Sequence, residues 1–280
     1  MRKLLLSSTA LATAAVLTAG AAVADVSISA TTEWEYTSRS SQVTTTDGTY
    51  FGVDSEIAFN FSNKTDSGLT ISYVVEMESD ATGIDESSLS ISGGFGKLVL
   101  GQNDGVLDNY GFEAEDAVAQ QSATTHTNAT MEYGNGPTTS DANKVSYHLP
   151  AMGGLTLGAS FTDSGTAATA ANTATDSTGI GFAYTTEAGG NTLTIAGAQQ
   201  TTEATTTDVD VQNLSAKVVS GGLTFIIANT TYQASGEDRS STGAGASYTL
   251  ANGIKIGAYT FKTEDDLDVG EEYTKSGVEV

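Results

Sequence analysis

The sequence predicts an all-β protein, a transmembrane antiparallel up-and-down β-barrel. Three observations carry this reading. Apolar residues recur at every second position along most of the chain. Short Gly-rich turns alternate with long polar connections. Charged residues stand in mid-strand on the polar parity, where a packed core would not hold them without partners.

Met1–Ala24 comes first and reads as a signal peptide. Arg2 and Lys3 precede an uncharged apolar run, and Ala22-Val23-Ala24 offers a small-residue cleavage site between Ala24 and Asp25. Residues 25–280 are then the barrel. In the first segment Val26, Ile28, Ala30, Trp34 and Tyr36 share one parity, opposite Ser27, Ser29, Thr31 and Glu33. Phe51, Val53, Ile57, Phe59 and Phe61 follow, opposite Asp54, Glu56 and Asn60; Leu69 to Met77 then alternates with Thr70, Ser72, Glu76 and Glu78. The same form returns in Val145/Tyr147/Leu149, Leu155/Leu157/Ala159/Phe161, Ile180/Phe182/Tyr184 and Ala244/Ala246/Tyr248/Leu250. Fourteen strands are counted, near 26–36, 50–62, 68–79, 84–92, 95–102, 143–149, 154–163, 178–187, 191–200, 211–219, 222–233, 242–250, 253–262 and 271–280.

Between them, short turns at 63–68, 93–94, 150–154, 187–191, 220–222 and 251–253 alternate with long links at 37–49, 103–143, 163–178, 200–210, 234–242 and 263–270. Ser79–Ile84 belongs to the long series by position but is short. Membrane barrels carry short turns at one end and long loops at the other. They also place aromatic girdles near strand ends. Trp34, Tyr36, Tyr50, Phe51, Tyr133, Tyr147, Phe161, Tyr184, Tyr232 and Tyr259 are so placed.

Composition narrows the function. Lys+Arg 11 against Asp+Glu 34 gives a formal net charge of −23, which argues against a nucleic-acid partner. The absence of Cys removes disulfides, thiol nucleophiles and thiolate metal sites. The two histidines, His126 and His148, stand in no catalytic arrangement with Ser and Asp, and no enzyme is expected. No cofactor is expected, beyond Ca²⁺ or Mg²⁺ at acidic outer loops. Asp265, Asp266 and Asp268 are weak candidates there, because the twelve-residue calcium-loop spacing is missing. Mid-strand Glu33, Glu56 and Glu76 are expected to face the lumen.

Asp66-Ser-Gly-Leu-Thr-Ile-Ser-Tyr, then Ser88-Leu-Ser-Ile-Ser-Gly-Gly-Phe-Gly-Lys-Leu-Val-Leu-Gly-Gln-Asn-Asp-Gly, resembles the Gram-negative general diffusion porins, alphaproteobacterial type. Val145-Ser-Tyr-His-Leu-Pro-Ala-Met-Gly-Gly-Leu-Thr-Leu-Gly-Ala-Ser-Phe resembles their strand–turn–strand after the third loop. The resemblance implies a sixteen-stranded outer-membrane barrel, usually a homotrimer, whose third loop folds into the lumen as a constriction. Asn103–Asn143 follows the fifth strand and is the longest connection, as that placement requires. With fourteen strands counted and no terminal Phe, the sequence is expected to lack its C-terminal end, the alternative being a divergent fourteen-stranded porin. The short Ser79–Ile84 weakens the trimer latch of the family's second loop.

The resemblance also implies an acidic loop facing a basic wall. Asp104, Asp108, Glu113, Glu115 and Asp116 supply the loop side, and Arg39, Lys97, Lys144 and Lys217 are the wall candidates, Lys97 with ambiguous parity. Acidic lining favours cations. The expected function is passive, weakly cation-selective passage of ions and small hydrophilic solutes, among partners that are outer-membrane lipid and lipopolysaccharide. The alternative is a secreted or surface-anchored β-rich adhesin or lattice protein. A substrate-selective sugar porin ranks lower, because the aromatics assigned by parity face lipid.

Overall fold

Each alternating segment becomes one strand. The computed structural model describes residues 25–39, 48–78, 84, 86–118, 142–163, 176–203, 208–234, 237–265 and 272–279. The expected signal peptide lies outside them. Fourteen strands are present among the described residues: β1 (Asp25–Arg39), β2 (Gly48–Lys64), β3 (Thr70–Glu78), β4 (Ser87–Gly93), β5 (Gly96–Gln102), β6 (Asn143–His148) and β7 (Leu155–Thr162) are the first seven. β8 (Ser177–Ala188), β9 (Asn191–Thr202), β10 (Val209–Ser220), β11 (Leu223–Ala234), β12 (Glu237–Thr249), β13 (Lys255–Asp265) and β14 (Glu272–Glu279) complete them. A short helix α1 (Val106–Tyr110) and a 3₁₀ turn η1 (Glu115–Ala117) follow β5. Strands β8 to β11 have 12 residues each, above the ~9–11 that a tilted strand needs to cross a bilayer.

The chain forms two compact units, one within residues 1–90 and one within 91–279. In the first, β1, β2 and β3 pair antiparallel in chain order. Ile57, Phe61, Ile71, Tyr73 and Met77 are exposed on one face, with the Phe61 and Tyr73 rings 6.3 Å apart. The other face carries the register pairs Thr31↔Glu56, Glu56↔Glu78 and Ala58↔Glu76. Glu33 sits opposite Asp54 in the same register.

In the second unit β5 to β14 likewise pair antiparallel with their chain neighbours. Its bare face carries large apolar side chains: Ile180 is 64% exposed and Leu214 60%. Toward the long-connection end this face turns polar, with Gln199 opposite Gln212, Gln212 opposite Thr231, and a Lys262–Glu264 ion pair at 3.0 Å. Apolar rows giving way to amide and charge trace where hydrocarbon ends. At the opposite end Gly189 (φ 61°) and Gly190 (φ 81°) form a two-residue hairpin turn that needs positive φ at both positions.

Several expectations are corrected here. β1 continues through Arg39, so that residue ends a strand opposite Gly48 and does not lie in a loop. β12 begins at Glu237, which reduces the link expected over 234–242 to residues 235–236. Strands β9, β10 and β13 also run further into the expected loops, because Thr-rich polar segments extend a ladder once a neighbour supplies partners. Tyr232 and Tyr259, expected in a lipid-facing girdle, lie on the opposite face. Tyr259 is buried, and the Arg239 guanidinium lies 5.7 Å from the Tyr232 ring centre. Tyr133 lies outside the described residues.

Candidate functional site

The connection after β5 turns back onto one face of the second sheet. Two features make this favourable: apolar side chains on the connection, and very small residues where it lands. Val106, Leu107 and Tyr110 of α1 are buried and cluster with Ala198 and Val211. Fully burying side chains such as Val106 and Leu107 contributes roughly 1.5–3 kcal/mol each. Beneath α1 lie Gly158 and Gly181, where a Cβ would come 2.5 and 2.6 Å from Tyr110, and Gly179, where it would strike Val106. Beyond Phe112, Ala114 and Val118 pack on Tyr259 and Phe261. There Gly243 and Gly257 leave room, and a Cβ would stand 2.8 Å from Ala114 and 2.7 Å from Val118.

Polar contacts fix the seat. Lys144, only 4% exposed, donates through Nζ to the carbonyl oxygen of Asn103. Ser146 Oγ donates to Asn103 Oδ1 at 3.0 Å, and Asn103 Nδ2 donates to the Gly101 carbonyl at 2.8 Å. Asn109 Nδ2 donates to the Gly105 carbonyl at 2.7 Å and holds the first turn of α1. Tyr110 Oη lies 2.8 Å from His148 Nδ1, with the rings stacked 5.8 Å apart. Burial pushes the Tyr110 hydroxyl up from its ordinary value, which keeps it protonated and able to donate.

The structure sorts the sequence-predicted residues. Asp104 is exposed and Asp108 half-buried, both around α1. Burial pushes Asp108 upward, Asp104 adds to this, and the Gly105 N–H and Lys144 oppose it. Asp116 accepts through Oδ2 from the Glu113 N–H at 2.8 Å, so this carboxylate closes the η1 turn. Glu115 lies in η1. On the wall, register places Lys97 opposite His148 and Gly101 opposite Lys144, which puts Lys97 on the loop-covered face and resolves its parity. Leu98 and Leu100 take the bare face. Lys217 Nζ lies 5.1 Å from the centre of the Phe112 ring. Arg39 and Glu33 have register positions only. Glu56 and Glu76 share the polar face of the first sheet. Asp265 ends β13, while Asp266 and Asp268 lie outside the described residues.

Sequence reading missed Arg239, buried on the loop-covered face, because it assigned that stretch to a loop. It also missed Asn213, Ser215 and Gly181. Their signal was present as a small or neutral residue on the polar parity of an otherwise regular strand.

A polar, loop-covered strand face backed by a lipid-exposed apolar face defines the class: a membrane β-protein of the outer-membrane channel type. The comparisons give the family. The Gram-negative porin family model matches residues 9–279, and the chain belongs to that family. It is therefore an outer-membrane protein of a Gram-negative bacterium.

Solved structures share its barrel fold at low identity. The anion-selective porin from Comamonas acidovorans matches with TM-score 0.61 and 16% identity, over 90% of this chain and 83% of that one. OmpF of Salmonella typhi, in complex with daunomycin, matches with TM-score 0.67 and 12% identity, over 92% and 85%. A loop L8 deletion mutant of OmpT from Vibrio cholerae matches with TM-score 0.61 and 14% identity, over 91% and 86%. No curated protein sequence matches the chain.

Proposed function

We propose that this porin forms a water-filled channel for passive diffusion of ions and small hydrophilic solutes, with weak cation preference and no enzymatic activity. One observation carries the reading: residues 103–118 of the longest connection lie on the polar strand face, with Asp104 and Lys97 exposed there. Irregular backbone is tolerated at membrane depth only where it is buried in protein or lines a water-filled cavity. Asp104 and Asp108 form its acidic side, with Lys97 and Lys144 on the wall. The net charge of −23 and the carboxylate-rich register of β1–β3 support the cation preference, since negative lining concentrates cations. Homotrimeric assembly in outer-membrane lipid is part of the proposal, and membership of the porin family supports it. Ca²⁺ or Mg²⁺ at Asp265 and its acidic neighbours, bridging lipopolysaccharide, is part of the same proposal.

The test is reconstitution of the full chain in a planar bilayer. Discrete ohmic steps are expected, with a reversal potential in a KCl gradient carrying the sign for K⁺ over Cl⁻. Folded, inserted protein that passes no current would overturn the channel. A reversal potential of opposite sign would overturn the cation preference alone.

A further inference from the structure

Three side chains of β10 point to the loop-covered face in succession, at positions 213, 215 and 217. Residues two apart on a strand stand in line on one face, roughly 6.6 Å apart. All three close on one residue of the folded-back connection, Phe112. Ser215 Oγ accepts from the Phe112 N–H at 2.9 Å. Asn213 Nδ2 donates to the Phe112 carbonyl at 3.1 Å and to Thr230 Oγ1 at 3.0 Å, which fixes the amide on the neighbouring strand. Lys217 Nζ stands 5.1 Å from the Phe112 ring centre, within cation–π range.

Residues 111–113 belong to no helix or strand, so their backbone groups have no ladder to join. Two of those groups, both on Phe112, find partners on one strand. Ser215 and Asn213 are buried, as groups that satisfy a covered backbone must be. Gly111 fits the same joint, since a Cβ there would lie 3.2 Å from Asn213 Cγ and would strike the Leu107 carbonyl oxygen.

Phe112 also divides the connection. On one side α1 packs on β7, β8 and β9; on the other η1 packs on β11, β12 and β13. The α1 half is registered on β6 by the Asn103 and Tyr110 hydrogen bonds, whereas Ala114 and Val118 beyond Phe112 are held by apolar burial, which is not directional. The β10 ladder supplies direction at the pivot.

We propose that Asn213, Ser215 and Lys217 form a clamp on Phe112 that positions the folded-back connection, and that Lys217 is a positioning residue acting through the Phe112 ring. This rests on the channel reading above, with the connection narrowing the pore. A wall charge acting on passing ions needs an open aqueous path. A lysine over the ring of a loop residue acts first on where that loop lies.

The test is single-channel recording of the full-length protein with S215A, F112L, K217M and K217R. Loss of one neutral hydrogen bond in S215A shifts the balance between seated and displaced loop about two- to tenfold. Loss of the cation–π contact in F112L or K217M shifts it about two- to fivefold. The readout is the frequency of brief low-conductance events and open-channel noise, expected to rise by those factors in S215A, F112L and K217M, with K217R restoring wild-type noise. F112L is decisive, because it keeps every charge. If K217M moves the reversal potential while F112L and S215A leave noise and conductance at the wild-type level, Lys217 is a field charge and the clamp is overturned. Wild-type protein that forms no channel would instead refute the channel reading. Neither F112L nor S215A removes a strand-to-strand hydrogen bond, and heat-modifiable gel mobility confirms that each variant is folded before recording.

Discussion

The polar face of β1–β3 and the loop-covered face of the second sheet follow one alternation rule and end differently. On the first, the inward register is built of long carboxylates: Glu56 stands opposite Glu78, and Glu76 opposite Ala58. On the second, the equivalent positions are Gly158, Gly179, Gly181, Gly243, Gly245 and Gly257, with Ala196 and Ala198 between. Long ionised side chains need water and fill the space above their strand. Glycine and alanine leave that space to another segment. Polarity on the inward parity says that a face is not lipid-facing; side-chain size on the same parity says whether a connection can lie on it.

The largest expected effect tests what the two regions share. L214R in the second sheet and I57R in the first each place a guanidinium on an exposed apolar face, and both should cost about 2–4 kcal/mol if those positions lie near the bilayer midplane. Urea titration of refolding into lipid vesicles measures this. Equal losses would show that the bare faces are equivalent and confine the contrast to the polar faces. Tolerance of arginine at Ile57 alone would break the equivalence.

The next effect tests the contrast. In G181V the new Cβ and its methyls meet Tyr110, 2.6 Å from the Cβ position, and overpacking of this kind costs about 1–3 kcal/mol. S72V makes a comparable enlargement on the polar face of β3, where Ser72 is half-buried and touches Ser62 Oγ at 3.2 Å. It loses one hydrogen bond and meets no overlying segment among the described residues, so it should cost no more than about 0.5–1.5 kcal/mol and leave the connection where it is. The same titration, joined to limited proteolysis of the connection, reads both. Cleavage near residues 103–118 should accelerate in G181V only.

This contrast also marks what the sequence disclosed. Strand number and order were legible, because a period of two survives any tertiary detail. So was facing wherever the apolar alternation is regular: Ile180, Phe182 and Tyr184 must share a face wherever β8 lies, whereas Tyr232 and Tyr259, placed by nearness to a strand end, were assigned to the wrong one. The length and position of the connection after β5 were legible for the same reason. Strand ends were not, since Arg239 and its neighbours are polar enough for either a loop or a ladder that continues beyond the membrane. The seat was not legible either. Gly181 reads as an ordinary strand glycine until Tyr110 is placed over it, and Ser215 as an ordinary polar-parity serine until the Phe112 N–H arrives. Those pairs are separated by 71 and 103 positions in the sequence, and no local pattern reports such a distance.

The smallest effect lies in the charge carried onto that seat. Asp108 stands above its ordinary value of 3.8, first because α1 is buried against the wall and second because Asp104 adds negative charge. A carboxyl raised in the folded state binds its proton more tightly there than in the unfolded chain. Its penalty is therefore absent at pH below 3.8, grows as pH rises through the window between 3.8 and the raised value, and is fully present above it. Acidification through that window should seat α1 more firmly, the reverse of a carboxylate held by a salt bridge. Lys144 and the Gly105 N–H already oppose the rise, so the effect is a partial one. D108N should make proteolysis of the connection slower at pH about 7 and insensitive to pH down to about 4, while the wild-type rate falls over the same interval. The polar face of β1–β3 supplies the control: E56Q changes a carboxylate of the other compact unit, and its effect on that cleavage rate should be nil. If D108N and wild type show the same pH dependence, burial of α1 is not what sets the Asp108 proton, and the seat is wetter than its packing indicates.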